Sequence, residues 1–339
     1  MEQRTHAWIA VRAVALLEEK GSNKKLVELL RPCARHAAIG AWLPDLADMR
    51  RSGGGIQHHV LKLQLYKGGA PERFVAERDQ LLGRLACSPA AREYLGSESS
   101  LDGTWWSTAY RADPAPGQHI ANRAMALSSV LKDLLLMGAP SIDDLLPGRV
   151  KFIDSVDDDA RTTQEEAALF FFMLSHFIAD ACMPCHSDAR PLAGYDEGLH
   201  KELEAHWRKG IPTAFNDAAL SKTRTTGKAQ DEVLAAAREV DAAFALQFDS
   251  VDVPELPKGR DVWLEIIDAC RASFAMSSII APPSEYRFDD ESARAPFAEV
   301  LGGGRQPVLE AVDRVALTDA VVNTAAIWSH VWRGVAREE

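Results

Sequence analysis

The sequence lacks long apolar runs, and this absence bears first on membrane insertion and export. A transmembrane helix needs roughly 20 predominantly apolar residues, and the apolar stretch at 169–181 is interrupted by His176 and Asp180. The first twenty residues include Glu2 and Arg4 and have no continuous apolar core of the kind found in a secretory signal. We therefore expect no transmembrane segment and a cytoplasmic location, or a secreted protein if a signal has been removed.

Cysteine and clustered basic residues are also scarce. Five cysteines, an odd number, are scattered through 339 residues, which argues against a disulfide framework and favours a reducing compartment. The net charge is −11 and no Lys/Arg-rich run offsets it, so we expect no stable complex with nucleic acid. A substrate that carries phosphate would need local cations, and bound metal ions can supply them.

Helical periodicity dominates the chain, and no window shows the alternation of β-branched residues that is typical of a sheet. We therefore predict an all-α protein in which residues 1–339 form a single multi-helix domain. A loop-rich insert around 97–117 contains Trp105 and Trp106. Loops or linkers are expected at 40–44, 52–55, 138–159 and 184–198. Helices are predicted near residues 5–20, 24–39, 71–85, 122–137, 163–181, 200–208, 230–248, 262–278 and 309–336.

The most informative polar residues lie in and after the apolar helix at 163–181. His176 and Asp180 are four residues apart, so their side chains project from one face of the helix and can reach the same metal ion. His186 follows just after a proline, and His200 and Glu204 repeat the four-residue spacing fourteen residues later. Either pair alone is commonly a core or surface contact. Together they predict a metal site, because a buried carboxylate is costly unless it is paired or bound to a metal.

The same region contains a pattern with a different meaning. Residues 182–186 read CMPCH, which is the attachment signature of c-type haem and also contains a redox CxxC. Haem attachment normally requires export, and a redox CxxC is expected at a helix N-terminus near a βαβ unit. Neither context is indicated here, so a c-type haem protein is kept as a remote alternative.

The motifs resemble those of the zinc-dependent phospholipases C and the related three-zinc single-strand nucleases. Residues 175–180 (SHFIAD) and 183–186 (MPCH) are similar to the SLHYLGD and QPMH segments of that family. His200 and Glu204 resemble the phospholipase branch, because the nucleases have Asp in place of the Glu. Residues 5–9 (THAWI) look like the family's SHLWI, and residues 40–45 (GAWLPD) look like its G-A-x-x-P-D. Near the C-terminus, residues 317–320 and 324–327 are similar to the family's terminal packing helix.

The resemblance implies an all-α fold and two or three zinc ions per chain. The first zinc would be held by Asp45, His59, His176 and Asp180, with His58 and Asp48 as open alternatives for His59 and Asp45. The second zinc would be held by His186, His200 and Glu204. A third would take His6 and a bridging Asp180. In the family the third metal also binds the amine of an N-terminal Trp, whereas this chain begins with Met1, whose unblocked amine could substitute.

The function implied by the resemblance is the hydrolysis of phosphoric esters by metal-activated water, with Asp45 orienting the water or receiving its proton. A phospholipid headgroup, a nucleotide or single-stranded nucleic acid could be the substrate. Trp105 and Trp106 could stack on a base or flank a choline-like headgroup, or they could be a packing anchor. A non-catalytic metal-binding protein of the same fold is the alternative, and the oligomeric state is open.

Overall fold

The computed structural model describes residues 2–49, 56–62, 119–146, 161–188, 199–222, 226–257, 259–280 and 306–336. These residues form α-helices and short 3-10 turns, and none of them forms a β-strand, although Gly138 and Thr162 make an isolated bridge. The all-α prediction is therefore confirmed for the described part of the chain. None of the described helices is both long and apolar enough to cross a bilayer. The lack of long apolar runs in the sequence predicted this result.

The α-helices in chain order are α1 (Gln3–Glu19), α2 (Lys24–Leu30), α3 (Ala37–Gly40), α4 (Leu43–Met49), α5 (Ile120–Leu136), α6 (Pro140–Asp143), α7 (Gln164–Ala181), α8 (Pro184–Ser187), α9 (Leu199–Gly210), α10 (Asp217–Leu220), α11 (Gly227–Ala243), α12 (Val262–Ile280) and α13 (Gln306–Arg333). The 3-10 turns are Arg31–His36, Ile56–His59, Thr213–Phe215 and Phe248–Ser250.

The predicted helix at 24–39 is broken in the structure, and a proline explains the break. α2 ends at Leu30, a 3-10 turn covers Arg31–His36, and α3 follows. Pro32 lies in the first positions of the turn and has no N–H to donate to a preceding carbonyl. Short helices also occur where linkers were predicted: α4 begins within 40–44, α6 lies within 138–159 and α8 lies within 184–198.

Several predictions lie outside the described residues. They are the loop at 52–55, the helix at 71–85, and the insert at 97–117 with Trp105 and Trp106. The single domain and the phospholipase or nuclease type of fold stay predictions.

Helices α1, α7 and α13 form the centre of the described core. α1 packs against α13, α11 and α3, whereas α7 packs against α5, α13 and α1. Large apolar side chains are buried at these contacts, among them Trp8, Phe171, Phe172 and Trp328. Burial of one such side chain contributes about 1.5–3 kcal/mol. The packing therefore dictates which faces of α1 and α7 carry their polar side chains into the protein.

A capping box closes the N-terminus of α7. The backbone N–H of Glu166 donates to Thr163 Oγ1 at 3.2 Å, and the backbone N–H of Thr163 donates to Glu166 Oε2 at 2.7 Å. Such a cap contributes about 0.5–2 kcal/mol to a helix. It fixes the residue at which α7 begins, and hence the direction in which His176 and Asp180 project further along.

Two polar contacts hold α1 within the core. Trp8 Nε1 donates to the carbonyl oxygen of Ala237 on α11 at 3.0 Å. Arg12, which is only 2% exposed, pairs with Asp241 and Glu19. A buried guanidinium is costly unless it is paired, so these contacts determine how α1 is rotated about its own axis.

Candidate metal centre

The polar side chains singled out in the sequence come from six elements that meet beside α7. His176 and Asp180 lie in the C-terminal half of α7, one turn apart. The other side chains are His6 on α1, Asp45 on α4, His58 and His59 on the turn Ile56–His59, His186 on α8, and His200 and Glu204 on α9. Met1 lies outside the described residues.

The first group of donor atoms comprises Asp45, His59, His176 and Asp180. His59 Nδ1 lies 2.8 Å from His176 Nε2 and 3.0 Å from Asp180 Oδ2, and His176 Nε2 lies 3.1 Å from that oxygen. Asp45 Oδ1 lies 3.6 Å from both imidazole nitrogens. Donor atoms about 2.0–2.1 Å from a tetrahedral zinc ion are about 3.3–3.4 Å apart. The first group therefore has close to the spacing of a zinc coordination shell.

The tautomer of His176 is set by the backbone. Its Nδ1 lies 2.6 Å from the carbonyl oxygen of Ala41, and a carbonyl only accepts hydrogen bonds, so Nδ1 carries the proton. Nε2 is then left with its lone pair directed at the other donors of the first group. A histidine ligand usually donates its second ring N–H to a neighbouring acceptor in this way, because the hydrogen bond holds the ring in the binding orientation.

Asp48 lies behind the first group. Its Oδ2 is 3.0 Å from His59 Nε2 and 3.1 Å from His58 Nδ1. Asp48 thus contacts the side of the His59 ring that faces away from Asp180, as an outer carboxylate does in a carboxylate–histidine–metal arrangement. Between the alternatives left open by the sequence, the structure places Asp45 and His59 among the donors, and pairs His58 with Asp48.

The electrostatics of His59 depend on the two carboxylates beside it. Burial alone would lower the pKa of His59, but hydrogen bonds to Asp180 and Asp48 outweigh burial and raise the pKa to about 9. In the metal-free protein the imidazole is therefore protonated at neutral pH, and its positive charge stands between the carboxylates. A divalent cation that bound the first group would take over this role and displace the proton.

The second group of donor atoms comprises His186, His200 and Glu204. His186 Nε2 lies 2.9 Å from His200 Nε2, which lies 3.3 Å from Glu204 Oε1, and the three donor atoms are all within 4.8 Å of one another. Burial lowers the pKa of His186 well below its usual value and lowers that of His200 to about 4. Both imidazoles are therefore neutral near pH 7, which is the protonation state that binds metal ions.

Asp180 stands between the two groups. Its Oδ2 faces His59 and His176 of the first group, whereas its Oδ1 lies 3.4 Å from His186 Nδ1 and 3.4 Å from His6 Nε2. Burial would raise the pKa of this carboxyl, but the positive charge of the N-terminal amine and the surrounding imidazoles hold it well below its usual range. The carboxylate is therefore charged and has one oxygen for each side of the cluster.

His6 is the most deeply enclosed of the candidate ligands outside α7. It is 1% exposed, and its ring stacks on that of His176 with 4.1 Å between the centroids. Neither ring nitrogen makes a hydrogen bond within the described part of the protein. Burial lowers the pKa of His6 to about 4. An unsatisfied buried imidazole costs free energy, and a metal ion is the kind of partner that would offset this cost. Its donor atom lies within 4.8 Å of those of Asp45 and His176.

These observations show that the clusters can hold metal ions. The donors are imidazole nitrogens and carboxylate oxygens, both of which zinc accepts, and the ring nitrogens of buried His6 make no hydrogen bond within the described residues. The resemblance assigned His6 to a site shared with Asp180, and the structure brings His6 near both Asp180 and Asp45.

The cysteines of the CxxCH pattern are buried. Cys182 is 1% exposed and Cys185 is 5% exposed. Asn323 Nδ2 donates to Cys182 Sγ at 3.6 Å, and burial raises the pKa of this thiol well above its usual value. A thiol of this kind is unreactive. The histidine of the pattern, His186, contacts His200 through its Nε2.

Sequence reasoning did not assign any role to Ala41 or Lys62. The carbonyl of Ala41 has no side-chain signal that could have revealed it. Lys62 follows His59 by three residues. Its charge acts on His186, and this could not be predicted from the spacing in the sequence.

Comparison of the chain with protein families, curated proteins and solved structures found no match in any of the three. The geometry of the site and the motif resemblance therefore carry the functional argument.

Proposed function

We propose that this protein is a zinc-dependent hydrolase of phosphoric esters. The observation that carries the proposal is the position of Asp180, whose Oδ2 faces the nitrogens of His59 and His176, while its Oδ1 faces His6 Nε2 and the Nδ1 side of the His186 ring. Paired metal ions that share such a region are typical of sites that hydrolyse phosphate esters. The resemblance of the motifs to zinc-dependent phospholipases C and single-strand nucleases supports the same activity.

The composition of the donor set favours zinc over harder cations. The first group has the imidazoles of His59 and His176, and the second group has those of His186 and His200. Magnesium and calcium prefer sites made of oxygen atoms, whereas imidazole suits zinc and other transition metals. We therefore expect two zinc ions at the two groups, and a third ion at His6 if further ligands complete that site.

Bound zinc would lower the pKa of a coordinated water to about 7 and offset negative charge on the phosphoryl oxygens. Asp45 is the most open member of the first group, with a side chain 26% exposed, compared with 2% for Asp180 and none for His176. Its carboxylate is placed at the solvent edge of the cluster, where it would orient the attacking water or receive its proton. Buried Asp180 and His176 would hold the metals.

The substrate is a small phosphoester in this proposal. With a net charge of −11 the chain repels long polyanions, so a nucleotide or a phospholipid headgroup fits better than extended nucleic acid. Glu204, in the place where the nucleases have Asp, favours the phospholipase branch.

The test combines metal analysis with turnover. Untagged protein is analysed for zinc by elemental analysis and is assayed with bis-p-nitrophenyl phosphate before and after chelation. His176→Ala is compared with His36→Ala, which removes a partly exposed histidine that lies against Arg35, away from the cluster. We expect two or three zinc ions per chain, chelator-sensitive hydrolysis, and loss of both only in His176→Ala. A panel of nucleotides and phospholipids then identifies the substrate.

The outcomes separate the competing functions. Absence of zinc from the wild-type protein would show that the proposed function is wrong. Bound zinc without turnover on any phosphoester would favour the non-catalytic metal-binding protein. A Soret band after maturation in an exporting host would instead support the c-type haem alternative.

A further inference from the structure

Lys62 connects the segment that carries His59 with the helix that carries His186. It follows the turn Ile56–His59, which carries His59, and its Nζ donates to the carbonyl oxygen of Cys185 on α8 at 2.6 Å. This carbonyl immediately precedes His186. Within the described residues no carboxylate lies within ion-pair distance of Nζ. The lysine is partly buried, and burial lowers its pKa.

The charge of Lys62 lies beside the element that carries His186. Its Nζ donates to the carbonyl of the preceding residue, Cys185, so the ammonium would repel a cation held by His186. A lysine beside a divalent metal raises the free energy of both unless an anion lies within reach of each. Glu204 is the carboxylate of the second group, and Asp180 and Asp188 are further carboxylates that act on its histidines and on Lys62.

We infer that Lys62 is an oxyanion anchor that holds the phosphoryl group of the substrate beside the second group. The inference rests on the proposed function and extends it to the binding of the substrate. Lysine is a common phosphate ligand because its ammonium presents a compact charge with three donors. One of these donors is used on Cys185, and the other two remain for phosphoryl oxygens.

The charge of the site points to the kind of phosphoester that fits. Two zinc ions and the three carboxylates Asp45, Asp180 and Glu204 would leave one net positive charge, because histidines that bind a metal are neutral. Lys62 adds a positive charge, which the carboxylate of Asp188 offsets in part. A phosphoryl dianion, as in a phosphomonoester or inorganic phosphate, is thus matched more closely with Lys62 than without it.

Two substitutions separate the charge of Lys62 from its structural contact. Lys62→Gln removes the charge but keeps a side-chain amide that can donate to Cys185, whereas Lys62→Arg keeps the charge. Lys209→Met is the matched control, because it removes an exposed lysine at the far end of α9. Inorganic phosphate is titrated by calorimetry into each protein after zinc loading and removal of free metal. Circular dichroism and zinc content verify that each variant is folded and loaded.

We expect Lys62→Gln to weaken phosphate binding about tenfold or more, the loss of one charge-assisted hydrogen bond. Lys62→Arg and Lys209→Met should stay within about threefold of the wild type, a difference below 1 kcal/mol. Equal phosphate affinity in the Gln and Arg variants would overturn the inference, as would failure of the zinc-loaded wild type to bind phosphate. Failure of the wild type to bind zinc would instead overturn the proposed function, so the two failures are distinguishable.

Discussion

The two donor groups are built in different ways, although Asp180 touches both. The first group stands on the buried helix α7, and its His176 and Asp180 are almost fully enclosed by the core. The second group depends on α9, whose His200 and Glu204 have side chains 14% and 19% exposed. The far end of α9 contacts α13 through His206 and Trp207. The packing of α7 therefore positions the side chains of the first group, whereas the second group forms only when the amphipathic helix α9 packs against the protein.

The docking of α9 can be traced to one buried carboxylate. Trp207, which is fully buried, donates from Nε1 to Asp313 Oδ1 on α13 at 2.7 Å. The adjacent His206 Nε2 lies 2.6 Å from Asp313 Oδ2. On the opposite side, Arg4 of α1 donates to the carbonyl oxygen of Ile211, just beyond the end of α9. These contacts hold the helix that carries His200 and Glu204.

The largest effect is expected at Asp180, whose Oδ2 belongs to the first group and whose Oδ1 contacts His6 and His186. Asp180→Asn removes the charge that faces both groups, so zinc content and hydrolysis should both fall, with activity reduced by more than about 100-fold. Changes to residues outside the coordination shell typically cost about 10–100-fold, and loss of a direct ligand should cost more. Elemental analysis and turnover of bis-p-nitrophenyl phosphate provide the measurement. Unchanged zinc stoichiometry would show that Asp180 is not the bridging metal ligand.

The two groups should differ in whether zinc binding releases a proton. The pKa of His59 is raised to about 9 in the metal-free protein, whereas that of His200 is lowered to about 4. Zinc at the first group must therefore displace a proton at pH 7, and its affinity should rise about 50-fold between pH 7 and pH 9. Zinc at the second group should show little dependence on pH in this range.

Calorimetry in two buffers of different ionisation enthalpy measures the protons released at each binding step. One step with a released proton and one without is the expected result. Release of the same number of protons at both steps would contradict the distinction between the groups.

A smaller effect is expected from the carboxylate behind His59. Asp48→Asn weakens the acceptor that orients the His59 ring, so zinc affinity at the first group should fall about 10–100-fold while the second group is unaffected. Competition with a chromophoric chelator resolves the two sites. Asp144→Asn, an exposed substitution on the same protein, is the control. Equal losses at both groups would indicate a general loss of structure instead.

The smallest effect on metal binding is expected from the anchor of α9. Asp313→Asn weakens the contacts to Trp207 and His206 and should lower the free energy of unfolding by about 1–3 kcal/mol. Because α9 docks less tightly, the zinc at the second group should be released at a lower chelator concentration, and the first should stay bound. Thermal melts and chelator titrations measure the two effects. Earlier loss of the first zinc would reverse the proposed order of rigidity.

The sequence predicted the helical class and most helix positions, because apolar periodicity is a local property of the chain. Boundaries were less accurate where a proline intervened, as in the break of the helix at 24–39 by Pro32. For the candidate site, the four-residue spacings of His176 with Asp180 and of His200 with Glu204 indicated pairs on a shared helix face. Sequence could not choose between His58 and His59, since neighbouring residues on a short turn point in different directions.

By itself the sequence determined which side chains form pairs one helical turn apart and that the chain folds as helices, since both follow from local backbone geometry. Only the tertiary structure decided that Asp180 faces both donor groups, that Asp48 lies behind His59, and that Lys62 reaches α8. These relations join segments that are distant in the chain. The direction of each ring nitrogen and carboxylate oxygen is set by the packing of whole helices, which no spacing within one helix contains.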